Sequence, residues 1–197
     1  MPILSKAGVI AAAVRGAVVS FPTDTVPALA VKPEFAARIF NTKKRPAEKS
    51  LILMGASSQD LFPYTLGTEE NLAVWQEIAR QYWPGALTLV LPASPLVPLS
   101  MHPKTPDTIG LRIPDSAVAL AILQETGPLA TTSANLSGSD PLLSSTAIAD
   151  CFPNVATLAP LSSYSRSDQS SGHPSTVIKW HEGNWQLLRL GKVQFTF

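Results

Sequence analysis

The sequence predicts an α/β protein built on a mixed β-sheet, and three observations carry that reading. Segments with apolar residues at helical spacing alternate with short, almost wholly apolar runs of strand length. Near the C-terminal end, "TVIKW" and "WQLLRL" flank "HEGN", a hairpin signal, so at least one strand pair is antiparallel. Finally, 197 residues with 45% hydrophobic and 15% charged composition suffice for one substantial core.

The elements follow in order. Val9, Ile10, Ala13 and Val14 sit at helical spacing over residues 6–15, and Gly16 stops that helix. "AVVSF" (17–21) reads as a buried strand ended by Pro22. Residues 34–42 read as a helix, and "SLILM" (50–54) as another short strand. Thr68 followed by Glu69 and Glu70 starts a helix with Leu72, Trp75, Ala79 and Tyr82 on one face. "ALTLVL" (86–91) and "TIGLRI" (108–113) are strands, and Trp83-Pro84-Gly85 is a packing corner. Asp115 is expected to cap a helix through Gln124, closed by Gly127. "PLATTS" is the next strand. The Ser-rich stretch from 160 to 175 fits no element, and its low hydrophobicity predicts a flexible loop, either a plain one or a lid over a ligand. With no repeat and no boundary, the chain reads as a single domain over 1–197.

Composition excludes several functions. A formal net charge of +1 leaves no protein-wide basic surface, so any anion site must be local. The lone Cys151 forms no internal disulfide and reads as packing beside Phe152. His102, His173 and His181 lack metal-ligand spacing. "GVIAAAVRGAVVSFP" is interrupted by Arg15, and no run reaches the about 18 apolar residues a membrane span needs, so the expected location is the cytoplasm, away from membrane. Walker, G-x-G-x-x-G and G-x-S-x-G patterns are absent.

The chemistry gathers at strand ends. "PTDT" (22–25) follows the first strand, Arg112 stands on "TIGLRIP", and "TTSAN" (131–135) ends another. Ligands of open α/β sheets sit at such ends. "PLATTSANLSG" concentrates Thr131, Thr132, Ser133, Asn135 and Ser137 just where a strand stops. "KKRPAEK" (43–49) adds four basic residues in seven, which suits a phosphate-bearing ligand and equally suits a solvated helix end. Asp24 reads as readily as a turn cap as a catalytic group, and Arg112 also as a half-buried ion-pair partner. Ser133 and Asn135 also suit the start of a following helix. With no nucleophile or base singled out, the pattern suits binding and positioning of anions.

Six blocks, "FPTDTVPALA", "KKRPAEKSLILM", "YWPGALTLVLPA", "TIGLRIPDS", "PLATTSANLSG" and "PSTVIKW…LLRLG", resemble the YrdC-like family in order and spacing, across about residues 5–191. Members of that family are threonylcarbamoyl-AMP synthases. The resemblance implies a single twisted mixed sheet flanked by helices around a concave basic cavity, in the short form without an additional C-terminal domain. It also implies a reaction: L-threonine, bicarbonate and ATP, the last with Mg²⁺, give threonylcarbamoyl-adenylate and pyrophosphate. The product would pass to a tRNA threonylcarbamoyl transferase complex for tRNA modification.

By the same resemblance, Lys43, Arg45 and Lys49 would grip phosphates, with Thr108, Asn135 and Arg189 also on the nucleotide side. Thr23, Thr25, Arg112, Ser133 and Ser175 would form the threonine pocket. The chain departs from the family where Pro27-Ala28 replace a common Tyr-Gly, which removes a backbone donor and a glycine's freedom. Ser50, Met54 and Ser116 also differ from common family residues. Two alternatives from other classes remain: a double-stranded RNA or tRNA-binding module, and a nucleotide-binding paralogue without synthase activity.

Overall fold

The computed structural model describes residues 3–44, 50–101, 107–160 and 168–195. Among these, ten strands form one mixed sheet in the order β1-β8-β2-β3-β7-β4-β6-β5-β9-β10. They are β1 (Ile3–Leu4), β2 (Val19–Phe21), β3 (Ala28–Val31), β4 (Ile52–Met54), β5 (Leu87–Pro92), β6 (Thr108–Arg112), β7 (Leu129–Ser133), β8 (Ala156–Leu158), β9 (Thr176–His181) and β10 (Asn184–Arg189). The helices are α1 (Lys6–Val14), α2 (Ala37–Lys43), α3 (Ser58–Leu61), α4 (Glu69–Tyr82), α5 (Ala117–Thr126) and α6 (Ser145–Cys151). Parallel pairs such as β4 with β6 and β5 with β9 occur beside antiparallel ones such as β3 with β7 and β5 with β6.

Alternation along the strands sorts the two faces. Leu53, Leu89 and Leu111 join Trp75 and Ala79 of α4 in a core on one side. On the other, Val19, Phe21, Ala28 and Ala30 meet Val9 and Ala13 of α1 and Ile122 and Leu123 of α5. These two helices cover only part of that second face. The rest of it, around β4 to β7 and β9, is left for a cavity.

The terminal hairpin forms as expected, with Glu182 and Gly183 both at positive φ in its turn. Trp180 packs edge-on to Trp75 at 6.2 Å and to Trp185 at 5.0 Å, fixing the hairpin to α4. Trp83 forms the expected packing corner, nearly buried, its indole N–H donating to the Leu87 carbonyl at 2.8 Å.

Three expectations need correction. The cap of α5 is Ser116, not Asp115: its hydroxyl accepts from Ala119 N–H, and the helix runs on to Thr126 before Gly127 ends it at φ +73°. Asp115 instead donates its N–H to Asp24. The Ser-rich stretch is not uniformly loose: residues 168–175 are tied down by a buried Asp168 and by bonds to residues 23–25, while 161–167 lie outside the described residues. Ala28 opens β3 opposite Ser133 without positive φ, so the position does not require glycine. β1, β3, β8, α3 and α6 were not anticipated; β1, β8 and α3 are too short to show a period, and β3 is mostly alanine and valine.

Thr68 caps α4 as its sequence predicts, accepting from Asn71 N–H at 3.3 Å. Thr68→Ala should lower stability by about 1 kcal/mol in denaturant unfolding, with the transition otherwise unchanged.

Candidate functional site

The open part of the second face holds a cavity of about 520 Å³. Ile52, Met54, Thr88, Val90, Arg112, Thr131 and Val177 floor it from β4, β5, β6, β7 and β9. Thr23 and Thr25 bound it from the β2–β3 loop, Ser133 and Asn135 from the end of β7, and Pro174, Ser175 and Arg189 from the hairpin side. A smaller, mostly apolar cavity of about 350 Å³ lies between Phe21, Leu143, Ile148 and Leu158 and gathers none of the predicted groups.

The larger cavity is organised by three networks. In the first, Arg112 is almost fully buried. Its Nη2 donates to Asp24 Oδ1 at 2.6 Å, Nη1 to Thr25 Oγ1 at 2.8 Å and Nε to the Gly85 carbonyl at 3.0 Å. The Thr23 hydroxyl donates to the Val26 carbonyl and lies 3.0 Å from that of Thr25. Lys192 adds an ammonium on the Asp24 carbonyl at 3.1 Å. Asp24, which the sequence left open between turn cap and catalyst, is thus the carboxylate partner that holds Arg112.

The second network closes the end of β7. Lys43, at the end of α2, is buried with its ammonium on the Ser133 carbonyl, on Asn135 Oδ1 at 3.0 Å and on Thr132 Oγ1 at 3.3 Å. The Ser133 hydroxyl also donates to Asn135 Oδ1, and the Asn135 amide N–H groups donate to the Leu136 and Ser139 carbonyls. The dense polar run after β7 therefore bonds largely to itself and to Lys43, which fixes the chain's turn beside the cavity.

In the third network, the Ser175 hydroxyl lies 2.9 Å from Thr88 Oγ1 and 3.3 Å from Arg189 Nη2. The Arg189 guanidinium also holds the Ser175 carbonyl through Nε and Nη2. Thr88 and Lys192 escaped sequence reasoning. Strand alternation places Thr88 on the polar face, a weak signal; nothing local marks Lys192.

Two guanidiniums and two carboxylates stand at or beside the cavity among the described residues. Burial lowers the pKa of Arg112 and the charge of Arg189 adds to this, while Asp24 offsets only part of it. Burial likewise lowers that of Arg189. Guanidinium groups stay protonated nonetheless, so two charges that repel each other face one cavity, and Asp24 balances only one. Asp140 stands at the rim.

The predicted site residues are therefore distributed as follows. Thr23, Thr25, Arg112, Ser133, Asn135, Ser175 and Arg189 all line the cavity. Lys43 reaches it through Ser133 and Asn135 rather than forming its wall. Thr108 lies at the opposite end of β6 from Arg112, paired with Pro92, and does not line the cavity. Arg45 and Lys49, two of the five basic residues expected at the site, lie outside the described residues.

The Sua5/YciO/YrdC family model, described as "Telomere recombination", matches residues 11–191. The chain belongs to this family. A threonylcarbamoyl-AMP synthase of Bacillus subtilis is 37% identical over 128 residues, covering 61% of this chain and 35% of its own length. The crystal structure of Pyrococcus abyssi Sua5 complexed with L-threonine matches with TM-score 0.80 at 31% identity, over 96% of this chain and 56% of that one. Escherichia coli YciO matches with TM-score 0.76 at 25% identity, over 92% of this chain and 86% of that one. The chain thus spans about a third of the curated Bacillus relative and about half of the Pyrococcus one.

No described helix of this family member is long and apolar enough to cross a membrane. Among the described residues no group of three or more His, Cys, Asp or Glu could hold a metal ion.

Proposed function

We propose that the protein is a threonylcarbamoyl-AMP synthase. The observation that carries this reading is the single cavity in which Arg112 and Arg189 stand with the hydroxyls of Thr23, Thr25, Ser133 and Ser175. A relative of the same fold is crystallised with L-threonine. The reaction needs two anions held together. The threonine amine and bicarbonate condense to a carbamate with loss of water. A carbamate oxygen then attacks the α-phosphorus of ATP, a P–O bond forms, and the bond to the departing pyrophosphate breaks. All the reacting groups come from the substrates, so the protein's contribution is placement and charge.

In this reading Arg112 draws in the threonine carboxylate with the N–H of Nη1 and of Nη2 that its three partners leave over. Thr23, Thr25, Ser133 and Ser175 contact the rest of the amino acid. Arg189 and Asn135 face the nucleotide, Lys43 supports Asn135 from behind, and the family resemblance assigns Arg45 and Lys49 to the phosphates. Mg²⁺ enters as part of the ATP substrate. The cavity's own oxygens are hydroxyls, carbonyls and the rim carboxylate of Asp140, a donor set that suits a hydrated ion carried on a triphosphate. The adenylate would pass to a tRNA threonylcarbamoyl transferase complex, in the cytoplasm.

The test is exchange of labelled pyrophosphate into ATP, which should require both threonine and bicarbonate. Exchange without either would point to another acid, and none at all to a nucleotide-binding paralogue. Steeply salt-dependent RNA binding without ATP would mark the RNA-binding alternative.

Thr88→Val tests the hairpin side of the pocket. It keeps the shape of Thr88 but removes the hydroxyl that meets Ser175. Threonine affinity should fall by the worth of one neutral hydrogen bond, about 0.5–1.5 kcal/mol, with the melting temperature nearly unchanged.

A further inference from the structure

We propose that Asp168, a residue without an assigned role, positions the threonine half of the cavity from outside it. This rests on the reading above that Thr23, Thr25 and Ser175 meet threonine. Asp168 does not line that cavity; it is buried beneath the start of α5. There its Oδ1 accepts from the Ser116 hydroxyl and from Val118 N–H, each at 2.9 Å. The charge suits the positive end of the helix.

From that anchor, residues 168–175 run along the loop that carries Thr23 and Thr25. Ser170 Oγ donates to the Thr23 carbonyl at 2.9 Å, and Gly172 N–H donates to the Thr25 carbonyl at 2.9 Å. The strap then delivers Ser175 to the opposite wall, against Thr88 and Arg189.

The turn between β6 and α5 is therefore gripped by two carboxylates. Asp24 takes Asp115 N–H and Arg112, while Asp168 takes Ser116 and Val118. Through this turn, the guanidinium of Arg112, the hydroxyl of Thr25 and the hydroxyl of Ser175 share one support. Loss of Asp168 frees the strap's far end, and the first consequence falls on the groups that touch threonine. Among the described residues the printed bonds of Lys43 at the end of β7 do not involve the strap, and Arg189, which meets the strap at Ser175, is itself carried by β10, so the nucleotide side is disturbed less than the threonine side.

The experiment compares Asp168→Ala, Asp168→Asn and, as a cap-loss control, Ser144→Ala, which removes the hydroxyl capping α6. Two readouts are taken: Michaelis constants for threonine and ATP in pyrophosphate exchange, and amide hydrogen exchange across 169–175 in the free protein. Asp168→Ala should raise the threonine KM about tenfold, the loss expected when about 1.4 kcal/mol of positioning is removed, and change the ATP KM far less. Its 171–172 amides should exchange faster. Asn keeps an acceptor oxygen and should recover most of both effects. Ser144→Ala should lower the melting temperature and split neither constant.

Equal losses for both substrates, or unchanged exchange at 171–172, would overturn the proposal. Should Asp168→Ala not fold, the same split and exchange, smaller, are required of Asp168→Asn. The exchange readout uses no substrate. A wild-type protein without pyrophosphate exchange would thus sink the proposed function, while the strap's dependence on Asp168 is decided separately.

Discussion

Arg112→Lys should lose most of the protein's affinity for threonine while leaving ATP binding nearly unchanged. The guanidinium is rigid because three acceptors from three parts of the chain, Asp24, Thr25 and Gly85, fix its plane. Lysine keeps the charge opposite Asp24 but has no planar fork, so it cannot hold Thr25 and Gly85 and also present two N–H groups to a carboxylate. Loss of one charge-assisted contact is worth about 1.5–3 kcal/mol, or roughly ten- to a hundredfold in affinity. Arg112→Ala goes further. It leaves the Asp24 carboxylate buried without its cation, at a cost of about 3–5 kcal/mol in stability. Paired calorimetric titrations and thermal melts separate the two effects. If Arg112→Lys weakened ATP and spared threonine, the two halves of the cavity would be reversed. If it touched neither, Arg112 would serve the fold alone.

Lys43→Met should weaken ATP binding and destabilise the protein together. Methionine fills the buried volume without the ammonium, so the Ser133 carbonyl, Thr132 Oγ1 and Asn135 Oδ1 each lose a donor. Leaving buried acceptors unsatisfied costs about 1–3 kcal/mol apiece at full burial; these sites are only partly buried, so about 1–3 kcal/mol in total is expected. Denaturant unfolding should show that loss, and ATP affinity should fall in the same variant because the turn at 133–139 no longer holds its shape. Undiminished stability with lost ATP binding would mean that Lys43 meets the phosphates directly. Full stability and full ATP affinity would remove it from both roles.

Much of this was readable from the chain because the informative signals were local. Thr68 before two glutamates, the hairpin around Glu182-Gly183 and the polar run after β7 each declare themselves within a few residues. Contacts across the sheet were not readable. Asp24 and Arg112 are 88 residues apart, and Lys43 and Asn135 are 92 apart; only the order β3-β7-β4-β6 brings them together. Thr88 looked like any residue of an apolar strand until the alternation of β5 was fixed by burial of Leu87 and Leu89 on the other face. Low hydrophobicity misjudged residues 168–175, because that segment is held by polar bonds to main-chain carbonyls and to a helix start, which an apolar count does not register. Asp115 looked the better cap for α5 than Ser116, but its main chain is held by Asp24 one residue before the cap position, where the Ser116 hydroxyl accepts from Ala119 N–H.

The most direct measurement follows the carbon of labelled bicarbonate. Wild-type protein incubated with labelled bicarbonate, threonine and MgATP should place the label in an adenylate that carries threonine, with pyrophosphate released in equal amount. Omission of threonine or of ATP should abolish it, and Arg112→Lys should restore it only at much higher threonine. Label in no adenylate, or in one that forms without threonine, would contradict the assignment of this cavity to threonylcarbamoyl-adenylate synthesis.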